Sequence, residues 1–359
     1  MKKIYTTLFS LLLSLSFVGC GSDNGFDGEN GLLASGGANQ SAIETSLIEI
    51  YNEVILKDIN ASYEKSLSLI QSVQDLNTST SATTLSSAQV AFKELVLSYK
   101  RVESTYVAGR ESDNMRDIAD FYLEQFIFNS KGDTLFTDLQ KIFDGTGSLY
   151  KNSHKGITAL EYTLFDRAVS DGEMLSKLNT IRLASAITMA QTISQNLLLV
   201  KNYYNNESTF LTDSDTAISL LLNQLVDNAY KLKEKRIGDA GGFTVNFLNN
   251  PDATRLEYYK SIYSLAAIKE ILFTHKSIMD KGLTNIATLG SASSEADAIV
   301  TKIDEALVIC DSYTNSLESD IATSKTKDLF DTVAILQTNY TALINGLNFQ
   351  QDLLEADGD

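Results

Sequence analysis

"SLIEIYNEVILKDINASYEKSLSLIQSVQDL", residues 46–76, decides the fold class. Leu47, Ile50, Val54, Tyr63, Leu67, Ile70 and Val73 fall at helical spacing, and neither glycine nor proline interrupts them. The spacing predicts helix. "SSAQVAFKELVLSYKRVESTYV", residues 86–107, repeats the pattern through Val90, Leu95, Val102 and Tyr106. Further helices are predicted over 112–129, 133–143, 155–168, 173–205, 212–236, 254–281, 292–320 and 325–350. No strand-like alternation is sustained, and the chain has a single proline, Pro251. These features predict an all-α protein of packed bundles. Polar residues 78–87, "TSTSATTLSS", read as a connection closing on a helix cap. Residues 237–254, "IGDAGGFTVNFLNNPDAT", form the longest break rich in glycine and asparagine.

At 359 residues and 43% hydrophobic, the chain can bury a large core or two ordinary ones. Its formal net charge is −17, and loss of a leader carrying Lys2 and Lys3 would make it −19. Such a surface disfavours nucleic acid and anionic lipid as general partners, because both need a positive face. It permits attraction of cations.

The N-terminus, "MKKIYTTLFSLLLSLSFVGC", has a basic start and an apolar run too short to span a bilayer comfortably. It reads as a leader over residues 1–19. Its ending, "SFVGC", resembles a bacterial lipobox with Cys20 as the lipidated residue. Residues 20–41, rich in glycine, serine and asparagine, read as a flexible tether. Gly21 after the cysteine resembles an outer-membrane address, which implies an envelope protein facing the periplasm. An ordinary secretory signal cleaved nearby is the alternative. Cys310 is the only other cysteine. With Cys20 lipidated it has no intramolecular disulfide partner, and it reads as a small buried apolar residue.

"NSHKGITALEYTLFD", residues 152–166, holds the feature that composition does not explain. At about 100° per residue, Glu161 shares a helix face with His154, Ile157, Thr158, Leu164, Phe165 and Ala168. A carboxylate there is expected to be shielded from water and to need a partner.

This stretch also carries a resemblance. "GITALEYTLF" is similar to the motif G-x-H-x-x-E, followed by an aromatic and leucine-rich stretch, of the imelysin family. That family comprises bacterial envelope proteins described as imelysin-type peptidases and iron-regulated lipoproteins. Gly156 matches the glycine and Glu161 the glutamate. "ILKDINASYEKSLSLIQSVQDL", "AFKELVLSYKRVESTYVAG" and "YYKSIYSLAAIKEIL" resemble family blocks in the right order, and the resemblance covers roughly residues 45–350. It implies two helical-bundle domains, 42–205 and 206–355, with Glu161 lining a cleft between them. A buried carboxylate paired with Arg, Lys or Tyr is the other reading of Glu161.

The chain departs from the motif at one position. The family histidine falls on Thr158, whose hydroxyl is a poor transition-metal ligand. His154 lies nearby but about 10 Å from Glu161 along a continuous helix. It could join Glu161 on a metal only if the chain before Gly156 folds back; otherwise it reads as an exposed loop residue. His275 has no acidic or cysteine neighbour in sequence and reads as structural or exposed. Zinc hydrolases use about three protein ligands and an open position, whereas this chain has two histidines and no HExxH pair. A carboxylate site could take a divalent or ferric ion, with Glu103 and Glu257 as further oxygen donors. A solvated helix face explains either of those glutamates more simply.

Two functional readings follow from the resemblance. One is a non-enzymatic envelope lipoprotein that binds a ligand or metal at a motif pocket of Gly156, Thr158 and Glu161. It would act in iron uptake beside envelope metal-uptake proteins. The other is a metal-dependent peptidase of the imelysin type. A scaffold with a degenerate pocket is a third, simpler option. Thr158 favours the first.

Overall fold

The computed structural model describes residues 40–123 and 134–352. Cys20, the predicted leader and all but the last two residues of the predicted tether lie outside these. So does part of the helix predicted over 112–129. The described residues are helical with no strands.

The first helix runs Gln40–Ile50, passes through a π-helical turn at Tyr51–Leu56, and continues as Lys57–Thr78. The π turn inserts a residue into the helical repeat and so rotates the stripe. Beyond it the buried positions are Asp58, Ile59, Ser62, Ser66, Leu69, Val73 and Leu76. Leu67, predicted on the stripe, is exposed instead. Ser66 Oγ donates to, or accepts from, Ser194 Oγ at 2.9 Å, which satisfies polar atoms inside the bundle.

Ser81 caps the next helix, Ala82–Ser104, through a reciprocal box with Thr84. The helix predicted over 173–205 is two helices, Asp171–Ser176 and Thr180–Asn206. Asn179 breaks them apart by accepting from the Arg182 N–H as an N-cap. Lys57–Thr78 packs between Ala82–Ser104 and Thr180–Asn206, and the short motif helix Ile157–Leu164 lies against the latter two.

In the second half, Ser214–Lys231, Ser264–Ile278, Ser293–Asp311 and Ser324–Gly346 form a bundle. Gln40–Ile50 crosses to this half and packs on Ser214–Lys231 and on residues 279–289. A Cβ at Gly282 would lie 2.6 Å from the Ser46 carbonyl oxygen, so only glycine admits this approach. Ala82–Ser104 packs on Ser264–Ile278, and the buried apolar residues of both halves form one cluster.

The helix predicted over 254–281 begins only at Ser264. Residues 256–263 are a non-helical strap in which Tyr258 (φ 63°) and Ile262 (φ 54°) take left-handed backbone conformations. For tyrosine and a β-branched residue that is strained, and surrounding contacts must hold it.

Candidate functional site

The motif helix is short. Gly156 is its N-cap and Phe165 already leaves it in an extended conformation. Glu161 is buried with Ile157, Leu164 and Phe165, while Ala168, expected on the same face, lies beyond the helix and is exposed. Thr158 is half-buried one turn before Glu161.

Glu161 is 3% exposed and faces the strap from the second half. Its Oε1 accepts from the Ser261 backbone N–H at 2.8 Å and from Ser261 Oγ–H at 2.7 Å. Oε2 takes no hydrogen bond among the described residues. At Glu161 the two halves therefore meet in a closed contact, not an open cleft, and the partner is a serine rather than Arg, Lys or Tyr. Burial pushes the Glu161 carboxyl up to about 7, opposed by the Ser261 hydrogen bonds and Lys260 and reinforced by Glu257. Near neutral pH, Glu161 can thus either donate or accept a hydrogen bond.

A second serine repeats the arrangement. Ser264 N–H and Oγ–H both donate to Glu318 Oε1, at 3.2 and 2.5 Å. Glu161 thus clasps the strap at Ser261, and Glu318 holds Ser264, the first residue of the helix that follows it.

Beside the clasp lies a ring of four buried charges. Lys100 Nζ donates to Glu103 Oε2 at 2.5 Å and to Glu257 Oε1 at 2.7 Å. Arg236 Nε donates to Glu257 Oε2 at 2.8 Å, and Arg236 Nη2 donates to Glu103 Oε1. Each carboxylate bridges both cations, so the ring is neutral and its carboxylate oxygens are engaged. Burial raises the Glu103 pKa, but Arg236 and Lys100 outweigh it and hold it below the usual range. The solvated helix face expected for Glu103 and Glu257 is thus corrected: both are buried. They do converge, but upon cations, which removes them as ligands for a metal.

His154 is likewise buried, at 1% exposure, and not the exposed loop residue considered from sequence. The 3-10 turn Asn152–Lys155 folds it against Tyr150, ring centroids 5.3 Å apart, with Nε2 3.5 Å from Asp138 Oδ2. Asp138 is itself held by Lys151 Nζ at 2.6 Å. Burial and then Lys151 push the His154 pKa down. The structure gives His154 and Glu161 different partners. Among the described residues no three His, Cys, Asp or Glu side chains gather as a metal donor set. The residues around Glu161 therefore do not fit a directly coordinated metal ion. His275 is buried between Tyr340 Oη and Asn228 Oδ1, each at 2.9 Å, and burial lowers its pKa to about 3. It is a structural residue.

The family model described as Imelysin matches residues 55–344. The chain belongs to the imelysin family. Its fold is similar to a crystal structure from Parabacteroides distasonis, described as a putative iron-regulated protein A precursor. The TM-score is 0.68 at 14% identity, covering 87% of this chain and 97% of that one. An Imelysin-like protein from Psychrobacter arcticum is similar with a TM-score of 0.60 at 17% identity, covering 87% and 98%. No curated protein matches the sequence significantly. At these identities the structural likenesses show the fold alone. Within this imelysin-family chain, sequence reasoning found Glu161 but missed Ser261, Arg236 and Lys100. Lys100 beside the apolar residues of "AFKELVLSYKRV" was an available signal, whereas Arg236 sits in the charged run "KEKRIG" and gave none.

Proposed function

We propose that this protein is a non-enzymatic, lipid-anchored binding protein of the bacterial envelope, acting in iron acquisition. The observation that carries the reading is the state of Glu161. It is buried, clasped by Ser261 on one oxygen, and belongs to no cluster of three metal-ligating side chains among the described residues. A hydrolytic metal needs an open coordination position and several ligands, whereas this carboxylate offers one uncommitted oxygen to a ligand. Thr158 at the family's histidine position supports the same reading. The link to iron rests on family membership and on the name of the Parabacteroides neighbour. The lipobox-like "SFVGC" supports an anchor at Cys20 and an outer-membrane, periplasm-facing location, where the partners would be envelope metal-uptake proteins.

The test is calorimetric titration of the purified protein with ferric citrate and with zinc chloride, beside a protease assay on unfolded casein. Chelated iron should bind, and Glu161→Gln should weaken that binding, with no casein cleavage. Sub-micromolar zinc affinity, with proteolysis abolished by a chelator and by Glu161→Gln, would restore the peptidase reading.

A further inference from the structure

Residues 259–263 of the strap are held more lightly than the residues on either side. Before them, Glu257 sits in the ring of charges, and the buried Tyr258 ring meets Phe92 edge-on, centroids 6.4 Å apart. After them, Glu318 holds Ser264 at the start of the next helix. Between these anchors only Ser261 is buried. Tyr259, Lys260 and Tyr263 are half-buried, and Ile262 is 46% exposed. Arg167 lies 4.8 Å from the Tyr259 ring centroid, Lys93 5.1 Å from that of Tyr263, and Lys260 5.1 Å from that of Tyr162. Cation–π pairs at such partly exposed positions contribute little.

Ile262 carries the strain. A β-branched residue at φ 54° is disfavoured, and a side chain half in water does not offset that cost by burial. The hydrogen bonds beside it do. Ser261 N–H and Oγ–H both donate to Glu161 Oε1, at 2.8 and 2.7 Å. Tyr258, at φ 63°, is strained at the other end of the segment, and its carbonyl accepts from the Tyr263 N–H at 3.2 Å. The segment is thus a short loop with a strained position at each end and one clasp between them. Breaking the clasp lets the backbone relax, which returns part of the cost of breaking it. The same clasp covers Glu161. Two donors already occupy Oε1 and the carboxylate is 3% exposed, so a ligand engages it fully only when Ser261 is lifted away.

We infer that residues 259–263 are a lid over Glu161, hinged at Tyr258 and Ile262, which opens by releasing Ser261 from the carboxylate while the helices stay folded. The lid deepens the reading of Glu161 as a binding group and rests on that reading for its purpose, yet its opening is measured without any ligand. A ligand that takes Glu161 displaces both Ser261 donors, so binding selects the open lid.

The test is carboxyl labelling of the full-length protein with a water-soluble carbodiimide and glycine ethyl ester, read by peptide mass spectrometry. Glu103 is the internal reference, because it is 1% exposed, bound to Lys100 and Arg236, and accessible only when the core opens. Local opening costs less than global unfolding, so Glu161 should be labelled about tenfold faster than Glu103 or more. Ser261→Ala removes one of the two donors and should speed Glu161 labelling roughly three- to tenfold, with Glu103 unchanged. Ile262→Pro cannot adopt the closed backbone angle, and should bring Glu161 toward the rate of the exposed Glu64. Ser261→Ala decides the matter if Ile262→Pro exposes Glu103 as well. Equal labelling of Glu161 and Glu103 in the wild type would overturn the lid, because opening would then require the whole fold. So would a Glu161 rate that Ser261→Ala leaves unchanged, because the carboxylate would be reached by another route. Iron binding indifferent to Glu161→Gln would instead strike the proposed function and leave the lid standing.

Discussion

Replacing Glu161 by glutamine should change the pH dependence of stability in a defined direction. The folded-state carboxyl titrates at about 7, against a usual value of 4.5. A carboxyl raised on folding contributes stability that is full below its unfolded pKa and lost as pH rises through its folded pKa. The shift corresponds to about 3 kcal/mol across the whole range, at 1.36 kcal/mol per unit. Between pH 5 and pH 8.5 about 2.5 kcal/mol of it is lost, because the unfolded carboxyl is already partly ionised at pH 5. Glutamine keeps an oxygen for the two Ser261 donors and never ionises. Urea unfolding of wild type and Glu161→Gln at both pH values therefore isolates this group. Asp58, which burial raises to about 6, and His275 titrate in both proteins and cancel in the comparison. Relative to wild type, the variant should gain about 2.5 kcal/mol on going from pH 5 to pH 8.5. Parallel pH profiles, agreeing within about 0.5 kcal/mol, would show that Glu161 is not held in the buried state described.

Three further outcomes are expected. Leu164 is fully buried behind the motif, so Leu164→Ala should cost about 2–5 kcal/mol in urea unfolding; an unchanged midpoint would place the helix face wrongly. Lys100→Met leaves two buried carboxylates one cation short and should cost about 3–5 kcal/mol, part of which Glu103→Gln recovers in the double variant; a loss below about 1 kcal/mol would mean the ring is solvated. Cys20→Ser should move the protein from the membrane pellet to the soluble envelope fraction, and incorporation of labelled fatty acid at the wild-type level would refute the anchor.

The sequence by itself determined the all-α class and the family. Both follow from local information: apolar spacing along each helix, the near absence of proline, and an ordered set of motif blocks. It also singled out Glu161, because a carboxylate on an apolar stripe contradicts its surroundings within a single turn. Phase errors arose where local rules miss a defect. Asn179 split a predicted helix by capping a new one, and Leu67, about 140° from Val54 even on an unbroken α-helix, fell off the buried face.

What the tertiary structure decided was which partners the charged groups receive. Glu161 meets Ser261 across 100 residues, and Lys100 meets Glu257 across 157. Helical periodicity carries no information about such distant pairs. The strap that delivers Ser261 and Glu257 runs through left-handed Tyr258 and Ile262, residues whose side chains give no turn signal. Glu103 and Glu257 read as solvated from sequence because an isolated helix face cannot know that Arg236 will arrive opposite it. Burial of a charge is settled only when its counter-ion is in place, and that is a property of the packed fold.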